Sequence, residues 1–119
     1  MRLTEVQFPS GGARPVDGYG PGFFRIGGQV HEGGVTVSAL GVTAWAGLDD
    51  PAPLLALASH ADILLIGMGA DIAPLPRPLL DALDRHGLMT EPMSSPAAAR
   101  SYNVLLAEGR RVACALMPV

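Results

Sequence analysis

The chain has 119 residues and a formal net charge of −3; 49% of the residues are hydrophobic and only 16% are charged. This composition excludes a disordered chain, and the eight scattered arginines exclude the basic stripe that nucleic-acid binding needs. No segment reaches the ~18 consecutive apolar residues of a membrane helix, and the N-terminus lacks the apolar core of a signal peptide. We therefore expect a cytoplasmic protein without a membrane span.

The sequence contains no lysine. A phosphate-binding loop lysine, a Schiff base and a serine–lysine dyad all require a primary amine, so these enzyme classes are excluded. Cys114 is the single cysteine, and its apolar neighbours predict a packed thiol in a core strand rather than a reactive one.

The first half of the chain is predicted to be rich in β-structure. Residues 23–26 and 35–40 read as short strands, with the Gly27-Gly28 and Gly33-Gly34 pairs at the bends of a hairpin or meander. Residues 16–22 are dominated by turn formers and are interpreted as an ordered surface loop. Trp45 follows in a third strand or at its exit, where its ring would anchor the β-layer to the helices.

The second half alternates helices and strands. The first predicted helix covers residues 51–60 with Asp50 as its cap, and the buried strand 63–66 follows. A second helix over residues 78–86 stops at Gly87, and a third begins at Ser95-Pro96 and stops at Gly109. The remaining strands are predicted at residues 88–91 and 111–117. This order predicts an α/β fold with a mixed sheet and packed helices, and residues 1–119 as a single domain.

The strand 63–66 opens into a glycine-rich loop, which is the first candidate site. Gly67, Met68, Gly69 and Asp71 lie where open α/β sheets bind ligands. The run begins like a dinucleotide fingerprint, but Ile72 replaces its third glycine. A tight strand-exit turn that needs small residues is the favoured alternative.

Tyr102 and Asn103 complete the set of candidate ligand-binding residues. They lie on the third helix, from which the Asn103 amide could reach a neighbouring loop or a small-molecule ligand. Internal hydrogen bonds are the favoured alternative explanation for this pair.

No set of residues typical of a catalytic or metal site is recognisable. His31, His60 and His86 fall in three different elements, and His60 and His86 are interpreted as helix C-terminal caps. We expect no catalytic residue, no cofactor and no metal, and the sequence leaves enzyme activity open without supporting it.

Several segments together resemble a known family. They are residues 16–28, Val35-Thr-Val ahead of Trp45, residues 64–69, and residues 101–118 with their Tyr-Asn-Val-Leu-Leu start. The chain resembles the small domain family that includes mitochondrial respiratory complex I assembly factor 3. Relatives commonly have Gly-Thr-Gly where this chain has Gly67-Met-Gly69, so it lacks that hydroxyl.

The resemblance implies a three-layer α/β domain, with a mixed central sheet flanked by helices and an additional β-hairpin layer. It implies no established reaction, but a protein partner, such as a subunit of a membrane complex. The alanine, glycine, proline and arginine bias suggests a bacterial gene. The function expected is protein binding, as in assembly of a respiratory or other inner-membrane complex. The alternative is a small-molecule-binding protein or enzyme with a pocket at Gly67–Asp71.

Overall fold

The computed structural model describes residues 13–119, which form two β-sheets and three helices. The strands are β1 (Val16–Gly20), β2 (Phe23–Ile26), β3 (Gln29–Glu32), β4 (Val35–Ser38), β5 (Gly41–Ala44), β6 (Ile63–Gly67), β7 (Met89–Met93) and β8 (Val112–Leu116). The helices are α1 (Ala52–Leu55), α2 (Arg77–Arg85) and α3 (Ser95–Ala107), with a 3₁₀ segment, Ala56–Ser59, directly after α1.

The central sheet has five strands in the order β5-β4-β8-β6-β7. β6 runs parallel to both of its neighbours, whereas β4 pairs antiparallel with β5 and β8. Leu64, Leu65 and Ile66 are buried, because helices cover both faces of the sheet and leave no wet side. The prediction of a mixed sheet with residues 63–66 in an interior strand is confirmed.

Two hydrophobic clusters lie on opposite faces of this sheet. On one face, Leu65 and Cys114 pack with Tyr102 and Leu106 of α3 and with Phe24 of the smaller sheet. On the other face, side chains of α1, the 3₁₀ segment and α2 pack with the sheet and with Trp45; they include Leu54, Leu57, Leu79 and Leu83. The fold is therefore the predicted three-layer α/β domain, and Trp45 joins the β-layer to the helices as expected.

The additional layer differs from the prediction in two strands. Residues 16–22 were predicted as a loop, but Val16–Gly20 forms β1, which pairs antiparallel with β2 through a bulge between Val16 and Gly18. The bulge accommodates the extra residue in a segment rich in turn formers. The polar segment Gln29–Glu32, not predicted as a strand, pairs with β2 as β3. The layer is a three-stranded meander, β1-β2-β3, rather than a hairpin.

The first helix is shorter than predicted. An α-helical turn at Ala52–Leu55 passes into the 3₁₀ segment, where a regular helix over residues 51–60 was expected. Pro51 and Pro53 supply no N–H groups for this segment. The expected Asp50 cap was also wrong: the cap residue is Pro51, and the Asp50 carboxylate instead accepts a hydrogen bond from the Ala46 N–H at 3.3 Å.

The bounds of the other elements agree with the predictions within a few residues. The predicted hairpin or meander of residues 23–26 with 35–40 was wrong, because β4 pairs with β5 and β8 of the central sheet and not with the strands of the meander. Gly87 has a φ of 83° directly after α2, as a helix-stopping glycine requires. The His86 ring nitrogen Nδ1 lies 2.8 Å from the Ala82 carbonyl, so its side chain does cap the C-terminus of α2. At the start of α3, the Ser94 hydroxyl accepts a hydrogen bond from the Ala97 N–H.

Candidate functional site

Ser95, the first residue of α3, packs against the two glycines of the predicted strand-end site. The Ser95 Oγ atom accepts a hydrogen bond from the Gly69 N–H at 2.9 Å and donates one to the Met117 carbonyl at 2.6 Å. A Cβ atom on Gly67 would lie only 2.7 Å from the Ser95 Cα atom, so this strand end fits tightly around the serine. Gly69 has a φ of 86°, which favours glycine.

The other two residues of this loop point to different surroundings. Met68 is half-buried against the cluster beneath α1 and α2, and its N–H donates to the Met93 carbonyl at 2.7 Å. Asp71 is exposed, and the side chain of Ile72 beside it is 63% exposed. The structure thus joins Gly67 and Gly69 through Ser95, while the carboxylate of Asp71 faces solvent.

Tyr102 and Asn103 attach the meander to α3. The buried Tyr102 hydroxyl donates a hydrogen bond to the Arg14 carbonyl at 2.9 Å, and burial raises the pKa of this phenol. The Asn103 Oδ1 atom accepts from the Val16 N–H at 2.8 Å, and its Nδ2 atom donates to the Val16 carbonyl at 2.9 Å. These bonds give the pair the internal partners that the sequence analysis favoured, on the β1 side of the helix. Ligand binding by the six predicted residues remains a prediction.

A groove lies between β1 and α3, directly beside Asn103. It encloses about 290 Å³ and is lined by Val16, Asp17, Gly18, Tyr19, Pro96, Ala99, Arg100, Asn103 and Val104. The Tyr19 and Val104 side chains remain 47% and 53% exposed, although both are large and mainly apolar. We call this the β1 groove.

A second groove runs along the opposite side of α3, toward the edge strand β7. It also encloses about 290 Å³ and is lined by Leu65, Glu91, Met93, Arg100, Ser101, Val104 and Leu105. Arg100 and Val104 line both grooves, and both residues are exposed. We call these two residues the α3 ridge; with the grooves beside it, the ridge forms one continuous surface.

The surface contains residue types that are common in protein interfaces. Tyrosine, arginine and methionine are enriched in protein interfaces, and Tyr19, Arg100 and Met93 all lie here. The buried Cys114 thiol lies elsewhere, in the core, and burial raises its pKa, so it lacks the thiolate that nucleophilic chemistry needs. Within residues 13–119, no group of three histidine, cysteine, aspartate or glutamate side chains could hold a metal ion.

Of the residues that line this surface, the sequence analysis identified Asn103 alone as a candidate. Arg100 and Val104 are spaced i, i+4 on a helix whose buried stripe contains Ala98 and Tyr102. This spacing outside the buried stripe was an available signal for an exposed face. Tyr19 could not be assigned to this surface from the sequence, because residues 16–22 were interpreted as a loop. A loop does not predict which of its residues face α3.

None of the helices in the described residues is long and apolar enough to cross a membrane.

Comparison with known proteins finds similar chains in several bacteria. Over 108 residues it is 59% identical to an uncharacterised protein of Rhodobacter capsulatus, covering 91% of this chain and 87% of that one. A crystal structure named as an outer membrane protein from Bartonella henselae matches with a TM-score of 0.84 and 34% identity, over 95% and 99% of the two chains. The solution structure of a Mth938-like domain from Bordetella pertussis matches with a TM-score of 0.79 and 26% identity, over 99% and 92% of the two chains. Since residues 16–117 match the family described as Protein of unknown function (DUF498/DUF598), the chain belongs to that family.

Proposed function

We propose that this protein is a non-enzymatic protein-binding module and that the α3 ridge with its two grooves is its binding surface. The observation that carries the proposal is the exposure of Tyr19 and Val104 on either side of the β1 groove. Tyr19 lines the same groove as the exposed Arg100, and tyrosine and arginine are enriched in binding hot spots. Val104 adds exposed apolar area beside them. Packing a partner on this surface would bury apolar area, and the transfer of that area from water contributes a favourable free energy of about 25 cal/mol per Å².

We further propose that the partner is a subunit of a respiratory or other inner-membrane complex and that the protein assists its assembly. The support is the resemblance to the family of the mitochondrial complex I assembly factor. A cytoplasmic protein of residues 1–119 acting as one domain would meet such subunits before or during their insertion. The Bartonella henselae relative is named as an outer membrane protein, so fractionation of native cells is the direct test of the location.

A second candidate function is small-molecule binding at Gly67–Asp71. One observation favours it: β6, β7 and β8 are parallel, so the carboxyl ends of all three strands meet at Gly67, Met93 and Leu116. Against it, the Ser95 hydroxyl occupies the space beside Gly67 and Gly69. A metabolite at about 100 times its dissociation constant would raise the free energy of unfolding by ~2.7 kcal/mol, which a thermal-shift screen detects. A melting temperature unchanged across a broad library would count against this candidate.

The protein-binding function is tested by purifying the tagged chain from native cells after gentle crosslinking. The variant Val104→Asp places a charge on the α3 ridge and should lose the partner. Leu40→Asp is the matched control, because Leu40 is an exposed aliphatic residue, 56% accessible, outside both grooves. Equal partner recovery with Val104→Asp and the unchanged chain would contradict the proposed surface. Membrane-complex subunits among the captured proteins would support the assembly role.

A further inference from the structure

The outer edge of β1 faces α3 across the β1 groove, an arrangement that suits the addition of a further strand. We propose that the partner inserts an extended, acidic peptide segment between β1 and α3, where it pairs with the edge of β1 that no other strand within residues 13–119 covers. This inference rests on the proposed function and specifies the chemical form of the partner. Strand addition at a sheet edge is a general mode of peptide recognition.

The Asn103 side chain already occupies the first position of this edge. Its amide accepts from the Val16 N–H and donates to the Val16 carbonyl, at 2.8 and 2.9 Å. A residue in a neighbouring strand would make the same pair of bonds with its backbone. The Val16 N–H and carbonyl on this edge therefore point toward α3, and the distance between them lets one amide bind both groups.

Tyr19 is the next residue whose backbone N–H and carbonyl point outward from this edge of β1. Gly20 and Phe23 are partners across the two-residue turn of the β1-β2 hairpin, so they bond to each other. Alternation along an antiparallel pair then directs the Tyr19 N–H and carbonyl away from β2, toward the groove. Among residues 13–119, no backbone or side-chain group is found hydrogen-bonded to this outer face of Tyr19.

The lining of the groove defines the chemistry of the segment. The charged side chains that line it are those of Asp17 and Arg100. The Asp17 carboxylate accepts a hydrogen bond from the Gly28 N–H at 2.7 Å, so it is engaged with the β2-β3 turn. This leaves Arg100 to pair with an acidic side chain of the peptide. Tyr19, Pro96, Ala99 and Val104 provide apolar contacts for a β-branched or aliphatic neighbour.

The test uses a display library of random eight-residue peptides, selected on the full chain. Selected peptides should lack proline, alternate apolar with polar residues, and contain aspartate or glutamate. Saturation with a selected peptide should slow hydrogen exchange of the Tyr19 amide by about tenfold, as one new backbone hydrogen bond would. An unprotected Tyr19 amide in the saturated complex would overturn the inference, as would a library that yields no binder.

Two substitutions at one position separate backbone pairing from side-chain contact. Tyr19→Pro removes the outward N–H while leaving the β1-β2 ladder intact, because its N–H faces away from β2. Tyr19→Ala retains the N–H but, like proline, lacks the aromatic ring. Tyr19→Pro should therefore bind the selected peptides about tenfold more weakly than Tyr19→Ala does. Equal binding by the two variants would overturn strand pairing, and the amide-exchange measurement on the unchanged chain decides the question if Tyr19→Pro does not fold.

The charge of the segment is tested with Arg100→Glu. This variant should lose the acidic peptides and select basic ones from the same library; an unaltered selection would overturn the assignment of an acidic segment.

Failure of this inference is distinguishable from failure of the proposed function. Loss of the cellular partner with Val104→Asp, together with its retention by Tyr19→Pro, would leave protein binding standing and exclude strand addition.

Discussion

At the scale of single residues, Asn103 is the side chain that connects β1 to α3 beside the β1 groove. One amide satisfies both backbone groups of Val16 and so holds the start of β1 against α3. The sequence analysis weighed Asn103 as a ligand contact against an internal role, and its partner could not be predicted because Val16 is 87 residues distant. A hydrogen bond across that separation depends on the complete fold.

Asn103→Ala should lower the free energy of unfolding by about 2 kcal/mol, because it leaves the Val16 N–H and carbonyl without their partners in a half-buried position. Urea denaturation measures this loss. Ser101→Ala, on the same helix, is the control and should change stability by less than about 0.5 kcal/mol. A loss for Asn103→Ala no larger than that of the control would contradict this role.

Two buried groups also predict how stability depends on pH. Burial raises the pKa of both the Cys114 thiol and the Tyr102 phenol, and the nearby Cys114 raises that of Tyr102 further. Their contribution to stability is complete below the unfolded pKa values, roughly 8.5 for cysteine and 10 for tyrosine. Above these values the unfolded chain releases protons that the folded chain retains, so stability falls as pH rises, by up to about 1.4 kcal/mol per pH unit for each group.

The measurement is the free energy of unfolding between pH 7 and 10.5 for the unchanged chain and for Cys114→Ala. The variant should show a shallower decline between about pH 8.5 and 10, where only the thiol of this pair titrates in the unfolded chain. Tyr102→Phe should reduce the decline in the free energy of unfolding only above that pH range. Identical slopes for all three proteins would show that neither group retains its proton in the folded state.

At the scale of elements, the regular pattern of the second half made it more predictable than the first. The run Ile63–Gly67 and the glycines after α2 and α3 carry their structural signals locally. β1 and β3 do not, because their glycine and polar residues form strands only when β2 lies between them. The tight packing of Ser95 on Gly67 could not be predicted from local sequence either, because it joins the end of β6 to the start of α3.

The junction between β6 and α3 predicts contrasting effects for two glycines. Gly67→Ala should destabilise the protein by about 1–3 kcal/mol, because its Cβ atom would lie 2.7 Å from the Ser95 backbone. Gly18→Ala should have little effect, since no atom lies within 4 Å of the position that its Cβ atom would take and its φ is not positive. Thermal unfolding of both variants measures the difference. Equal melting temperatures would show that the strand end is loosely packed.

At the scale of the whole molecule, the three-layer arrangement determines which part of α3 is available. The helix buries one stripe on β6 and β8, while the meander and the edge strand β7 lie on either side of its exposed face. The α3 ridge therefore lies between two sheets, and each contributes one wall of a groove. The element order predicted a mixed sheet with packed helices, and the family resemblance implied the three layers. The juxtaposition of the two sheets beside α3 follows from the packing of the meander against that helix.

Photo-crosslinking in native cells tests the central claim most directly. A photoreactive amino acid at Val104 should crosslink a specific protein partner, whereas the same group at Leu40, equally exposed but outside both grooves, should not. Mass spectrometry then identifies the partner and the peptide attached. An acidic, extended segment of one protein crosslinked from Val104 alone is the predicted result. The absence of any protein adduct from Val104, or the same adducts from Leu40, would contradict the claim.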